Sequence, residues 1–201
     1  DEWLKDYAKR RYGEESQSAY ESLLIMKDTV YKAELNMNGQ GAPESVVNAR
    51  PDLDINAAST WGNAIIDYDK AELERAAKLL LKDYDKLKDS DGYMYDLATM
   101  LQQVLSNSAQ EYQKKMAAAF KAKNKEEFNQ YAETFLSIID NMEKVTSTSK
   151  YYLLGTWVEQ AKALAKNADD FTKDLYEFNA KALVTTWGSV NQAEAGGLKD
   201  Y

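Results

Sequence analysis

Carboxylates are the abundant reactive groups of this sequence, 33 Asp and Glu among 201 residues, and they stand without a single histidine or cysteine. That absence removes Ser-His-Asp triads, cysteine nucleophiles, HExxH zinc helices, Glu-x-x-His di-iron bundles, thiolate metal sites and disulfides. The densest acidic group, Asp89-Ser90-Asp91-Gly92, invites a calcium reading. An EF-hand loop requires D-x-[DN]-x-[DN]-G followed by a Glu, whereas DKLKDSDGYMYDL is out of register and offers Leu97 and Ala98 near that place. A plain helix-to-helix turn is the better account. The remaining Asp and Glu fall on helix surfaces or in turns, and a helix-borne pair without a flanking cleft would not have its pKa values pushed apart. Pairs such as Glu126 and Glu127 read as solvated faces. No cofactor or metal is implied.

Helices must do the positioning. Asp1 predicts a cap for a short helix through Tyr12, where Gly13 supplies a permissive stop. Arg10 and Arg11 at its end serve the helix macrodipole and local carboxylates. Glu15 to Tyr31 comes next as a second helix burying Ala19, Tyr20, Leu23, Leu24 and Val30. From Ala33 to Asp67 periodicity fails, and Gly39, Gly41, Pro43, Pro51 and Gly62 punctuate a stretch far longer than an ordinary connection. Its Val46, Val47, Leu53, Ile55, Trp61, Ile65 and Ile66 predict a loop that packs down on something and binds.

Asp69 and Glu72 open the next helix as a capping pair, presenting Leu73, Ala76, Ala77, Leu80 and Leu81. Tyr93 to Lys123 reads as one long helix, its face running from Leu97 and Met100 through Ala109 and Tyr112 to Phe120. Asn124 caps Lys125 to Val145, and the short Ala122 to Asn124 link makes these two antiparallel neighbours. Thr146 to Ser149 breaks the run and is expected to cap the helical segment after it. Two amphipathic segments joined at Asn167 to Asp169 close the pattern. Leu154, Trp157, Ala161 and Leu164 mark the first, and Tyr176, Leu183 and Trp187, beside Phe171, Leu175 and Phe178, mark the second; each is expected to bury a broad face. The fold class is all-α, a bundle of about seven mostly antiparallel helices with one long loop.

At 44% hydrophobic and 29% charged residues, the chain supports one sizeable core and contains no run approaching a membrane span. The net charge is −8 and the pI near 4.8, with Lys and Arg interspersed among the acids. Neither nucleic acid nor a membrane is an expected partner. Absent cysteine is compatible with the cytoplasm or with a secreted bacterial protein.

Residue order says more than periodicity. YYLLGTWVEQAKALA, from Tyr151, followed by DLYEFNAKALVTTWG, ending at Gly188, resembles the C-terminal helical region of the α-N-acetylglucosaminidase family of glycoside hydrolases. Further matches run in the same order: YAKRRYG from Tyr7 to Gly13, Thr29-Val30-Tyr31, Arg50-Pro51, Tyr68-Asp69 with Leu79 to Leu81 behind, and Tyr95-Asp96-Leu97. The resemblance covers nearly the whole chain.

By that resemblance, residues 1–201 form a C-terminal helical domain truncated at its own C-terminus, since Asp200-Tyr201 match the first two residues of a further element. Both catalytic glutamates would lie on a (β/α)8 barrel upstream, so the segment alone is expected to be inactive. The implied parent is an exo-α-N-acetylglucosaminidase, secreted or on the surface of a bacterium, and the implied partners are its barrel and a glycan ending in α-linked N-acetylglucosamine. Three aromatics would then wall the sugar pocket. Tyr68 matches the tyrosine of a Trp-Tyr-[ND] element in which Asp67 replaces the Trp, and Trp61 stands in for it; Trp187 matches the Trp of the closing TxWG, with Lys181 in place of an arginine. Trp61, Tyr68 and Trp187 should share one side, part of it an exposed apolar patch. The competing class is a free-standing helical protein-interaction or cell-surface binding module, distinguished by whether a barrel with two glutamates precedes it.

Overall fold

A computed structural model describes residues 1–32, 45–49, 51–55 and 64–185. Among them are eight α-helices, three 3₁₀ turns and no strand. Helix α1 (Glu2–Tyr12) stops at Gly13, whose φ of 84° turns its N–H onto Lys9 O. Asp1 holds the N-cap position but caps nothing, because its carboxylate pairs with Lys27 at 2.7 Å. Helix α2 (Gln17–Asp28) is shorter than its pattern suggests: Ser16 caps it by accepting from Ala19 N, and a 3₁₀ turn takes Val30–Lys32. Its buried face is Ala19, Ser22 and Ile25, while Tyr20, Leu23, Leu24 and Val30 are only partly covered. Small residues explain the shift. Ala19 and Ser22 meet Ala76 and Ala77 of α3 (Lys70–Leu81) at close range, and Ser22 satisfies its hydroxyl on Ala76 O at 2.8 Å.

Asp69 caps α3 by accepting from Ala71 N and Glu72 N, as its position predicts, whereas Leu81 at the other end is exposed. A single turn, α4 (Tyr84–Leu87), leads into α5 (Asp91–Lys121). The Asp89 to Gly92 turn is thus the start of the long helix. Ser90 accepts from Tyr93 N and donates to Arg11 O, and Gly92 is required because a Cβ there would lie 2.7 Å from that same carbonyl. Arg11 then grips Asp96 with two hydrogen bonds of 2.5 and 2.6 Å, Tyr12 adds a third, and Arg10 serves only Asp6 on its own helix. These contacts fix α1 across α5, and one core forms around Tyr12, Ile25, Leu80, Leu87, Tyr93, Leu97 and Met100.

Helix α6 (Lys125–Thr146) returns along α5 after Lys123 adopts φ 58° and Asn124 caps by accepting from Glu127 N. Phe120 at this end is exposed instead of buried. Thr146, Ser147 and Thr148 do not cap the next helix: their hydroxyls fold back to donate to Met142 O, Lys144 O and Val145 O, closing α6. Helix α7 (Leu154–Leu164) therefore starts without a side-chain cap, while α8 (Asp170–Leu183) is capped by Asp169 through Thr172 N. No described helix is long and apolar enough to cross a membrane.

Candidate functional site

Of the three aromatics that the sequence singles out, only Tyr68 falls in the described residues; Trp61 and Trp187 lie outside them, as does Arg50. Tyr68 is half-buried just before α3, and its phenol donates to Asn107 Oδ1 on α5 at 3.1 Å. Gln103 Nε2 donates to the same oxygen, also at 3.1 Å. Asn107 is itself buried, and its Nδ2 has no hydrogen-bond partner among the described residues.

Asn107 belongs to a polar track that sequence reasoning misses. Ser106 bonds Ser45 Oγ at 2.5 Å, Gln110 Nε2 donates to Ala64 O, and Gln113 Nε2 donates to Asp52 O and Leu53 O at 3.0 and 3.1 Å. These residues recur at helical spacing on α5, so they face one way and satisfy the backbone of the segment laid along them. Val46 and Ala64 press into a second core with Ala109 and Ile138. The described parts of the loop therefore do pack down, and Lys121 pairs with Asp54 at 2.6 Å to pin its outer side. The spacing of Gln103, Asn107, Gln110 and Gln113 is the available signal, but it looks like a solvated face until a loop covers it.

Six of the described carboxylates have pKa values shifted by their hydrogen bonds. Glu15, Asp28, Glu111 and Glu177 are each held below their ordinary pKa by hydrogen bonds from lysines, Asp83 by the hydroxyl of Ser16, and Asp169 by Thr172. Each of these shifts favours the ionised form, the opposite of the raised pKa that a general acid needs.

A second feature concerns α7 and α8. Their expected buried faces are largely uncovered: Leu164 is 80% exposed and Phe171 77%, and Leu154, Trp157, Leu175, Phe178 and Leu183 also face outward. Only Val158, Ala165 and Ala180 are buried. The hairpin is closed by Trp157 Nε1 donating to Ala180 O at 2.9 Å and by Lys162 of α7 pairing with Glu177 of α8 at 3.3 Å. The preceding turn ties it to the bundle, with Tyr152 stacked on Tyr95 and hydrogen-bonded to Thr99, and Lys150 paired with Asp91. Thr99 also borders a groove of about 410 Å³ lined by Trp3, Tyr7 and Tyr31. The two stripes are apolar as their spacing predicts; what covers them is not within the described residues.

Comparison with known proteins bears on both features. Residues 3–201 match the family described as the alpha-N-acetylglucosaminidase (NAGLU) C-terminal domain. The chain is 26% identical to the alpha-N-acetylglucosaminidase of Homo sapiens over 203 residues, covering 99% of this chain and 25% of that protein. It is similar, at 50% identity and a TM-score of 0.90, to a family 89 glycoside hydrolase from Clostridium perfringens solved with 2-acetamido-1,2-dideoxynojirmycin, covering 100% of this chain and 22% of that one. Identity, coverage and TM-score are the same for a doubly substituted enzyme from that organism in complex with its substrate GlcNAc-alpha-1,4-galactose. The chain thus spans about a quarter of the length of these relatives.

Proposed function

Because this chain belongs to the C-terminal-domain family of the family 89 α-N-acetylglucosaminidases, we propose that it works as one part of an exo-α-N-acetylglucosaminidase. It seats the apolar face of α7 and α8 on the catalytic (β/α)8 barrel and supplies Tyr68, together with Trp61 and Trp187, to the wall of the N-acetylglucosamine pocket. The enzyme would act on terminal α-linked N-acetylglucosamine, outside a bacterial cell or on its surface. The observation that carries this reading is the uncovered hairpin face, with Leu164 and Phe171 among its most exposed side chains. Burying each such side chain is worth roughly 1.5–3 kcal/mol, so a contiguous face of this kind marks a place where another surface sits. The chain spans about a quarter of its relatives, and in this reading the cover comes from the rest of the same protein.

The division of labour follows from the chemistry. Glycoside hydrolysis uses two carboxylates about 5 to 5.5 Å apart for retention of configuration, or roughly 6.5 to 9.5 Å for inversion, one of them with a raised pKa. In this reading the acid and nucleophile belong to the barrel, and the downward-shifted carboxylates of this chain, such as Asp83 and Glu177, serve hydrogen bonds and ion pairs between and along its helices. An aromatic wall contributes differently, stacking on the apolar face of the pyranose and shielding a developing oxocarbenium ion from water.

The test has two arms. Residues 1–201 alone should release nothing from an aryl α-N-acetylglucosaminide; activity abolished by changing a carboxylate of this chain would place the chemistry here and end the proposal. In the full-length enzyme, a Leu164→Glu and Phe171→Glu double variant should lower both thermal stability and the yield of folded protein. Unchanged stability would show that this face does not meet the barrel.

A further inference from the structure

Building on the proposed pocket wall, we infer that Asn107 is the positioning residue for Tyr68, fixing the direction of its ring toward the sugar. Asn107 is 5% exposed in the middle of a long helix, with Val104 one turn behind and Leu105 and Ala109 two positions to either side. A primary amide there is costly unless both its ends are paired. Only one end is. The carbonyl oxygen takes the Tyr68 hydroxyl and the Gln103 amide, and Nδ2 is left buried with no partner among the described residues. A leucine would fill this place without an orphaned donor, so stability alone does not account for the residue.

What the amide provides is an acceptor at a fixed point. A phenol oxygen lies on the axis of its ring, so a hydrogen bond to it does not stop the ring flipping but does fix where the axis points. Conjugation keeps a phenol O–H close to the ring plane, so the direction of the bond to Asn107 also selects that plane and, with it, the stacking face. Gln103 holds the acceptor in turn, since its donation to the same oxygen selects one orientation of the Asn107 amide. The Tyr68 proton is then engaged with Asn107, and the phenol faces a ligand as an acceptor, suited to a sugar hydroxyl. Asp69, the next residue, caps α3 and clamps the backbone on the other side. Tyr68 is therefore held at both ends, by its own main chain and by α5.

The experiment uses the full-length enzyme with an aryl α-N-acetylglucosaminide. Asn107→Leu should lower kcat/KM about tenfold, mostly through kcat, with a melting temperature equal to or above that of the unsubstituted protein. Tyr68→Phe should give a similar loss, and the double variant should be no worse than either single one, because both remove the same bond. Asn107→Asp keeps the acceptor and should recover most of the rate. Normal kinetics in Asn107→Leu, alongside a clear loss in Tyr68→Ala, would overturn the positioning role while leaving the pocket wall intact. Normal kinetics in Tyr68→Ala would overturn the wall and this inference together. Should Asn107→Leu not fold, Asn107→Ser takes its place with the same readouts, and additive losses in the double variant would count against the shared bond.

Discussion

Tyr93 is fully enclosed where α5 meets α3, and its hydroxyl donates to Leu80 O at 2.8 Å. Burial pushes its pKa up to about 12, and burial together with Asp96 raises that of Tyr12 as well. Both folded values lie above the roughly 10 of an unfolded tyrosine. The stabilisation from keeping these phenols neutral is thus complete below about pH 10 and is lost as pH climbs through the folded values. Denaturation curves collected from pH 8 to 12 should show stability falling from about pH 10 upward. Tyr93→Phe should flatten that limb and cost about 1 kcal/mol at neutral pH, through the lost bond to Leu80. At this scale the sequence is readable where the chemistry is local. Asp69, Asn124 and Gly13 do what their neighbours imply, whereas Arg11 finding Asp96 depends on a contact across 85 positions that no local pattern encodes.

Among the helices, the turn between α5 and α6 carries a conformational cost in plain view. Lys123 sits at φ 58°, a region in which a side chain clashes with its own backbone. Lys123→Gly should raise stability by about 0.5–1 kcal/mol, the relief of strain exceeding the extra freedom of the unfolded glycine. A loss of stability in chemical denaturation would mean that the lysine side chain makes a compensating contact. Helix positions and the long antiparallel pair are legible because a 3.6-residue apolar period survives any tertiary context. Two things are not. The polar track of α5 is spaced like a solvated face, and only the 45–49, 51–55 and 64–68 stretches lying on it reveal its use. The hydroxyls of Thr146 to Thr148 suit either end of a helix, and the carbonyls of α6 claim them.

For the whole molecule, α5 is the shared member: its first half completes the core built with α1 to α4, and its second half the smaller core under α6. The hairpin of α7 and α8 joins neither core and is attached through the tyrosines of residues 151 and 152. Regions with few buried contacts open at lower free energy than the cores beside them. The hairpin should therefore be the first part of 1–201 to be cut by trypsin, at Lys166 in its exposed turn, and the same bond should resist in the full-length enzyme. Equal cleavage rates in the two would show that nothing covers it.

If the proposed seating on a catalytic barrel holds, that loosely held hairpin has a consequence for the parent protein before any substrate binds. A polypeptide whose barrel misfolds would leave the α7 and α8 face displayed, with tryptophan, leucine and phenylalanine side chains of the type that chaperones and quality-control proteases seize. A substitution deep in the barrel, far from any of these helices, would then be felt as shortened lifetime and low abundance. The domain would act as a gauge of whether its companion has folded.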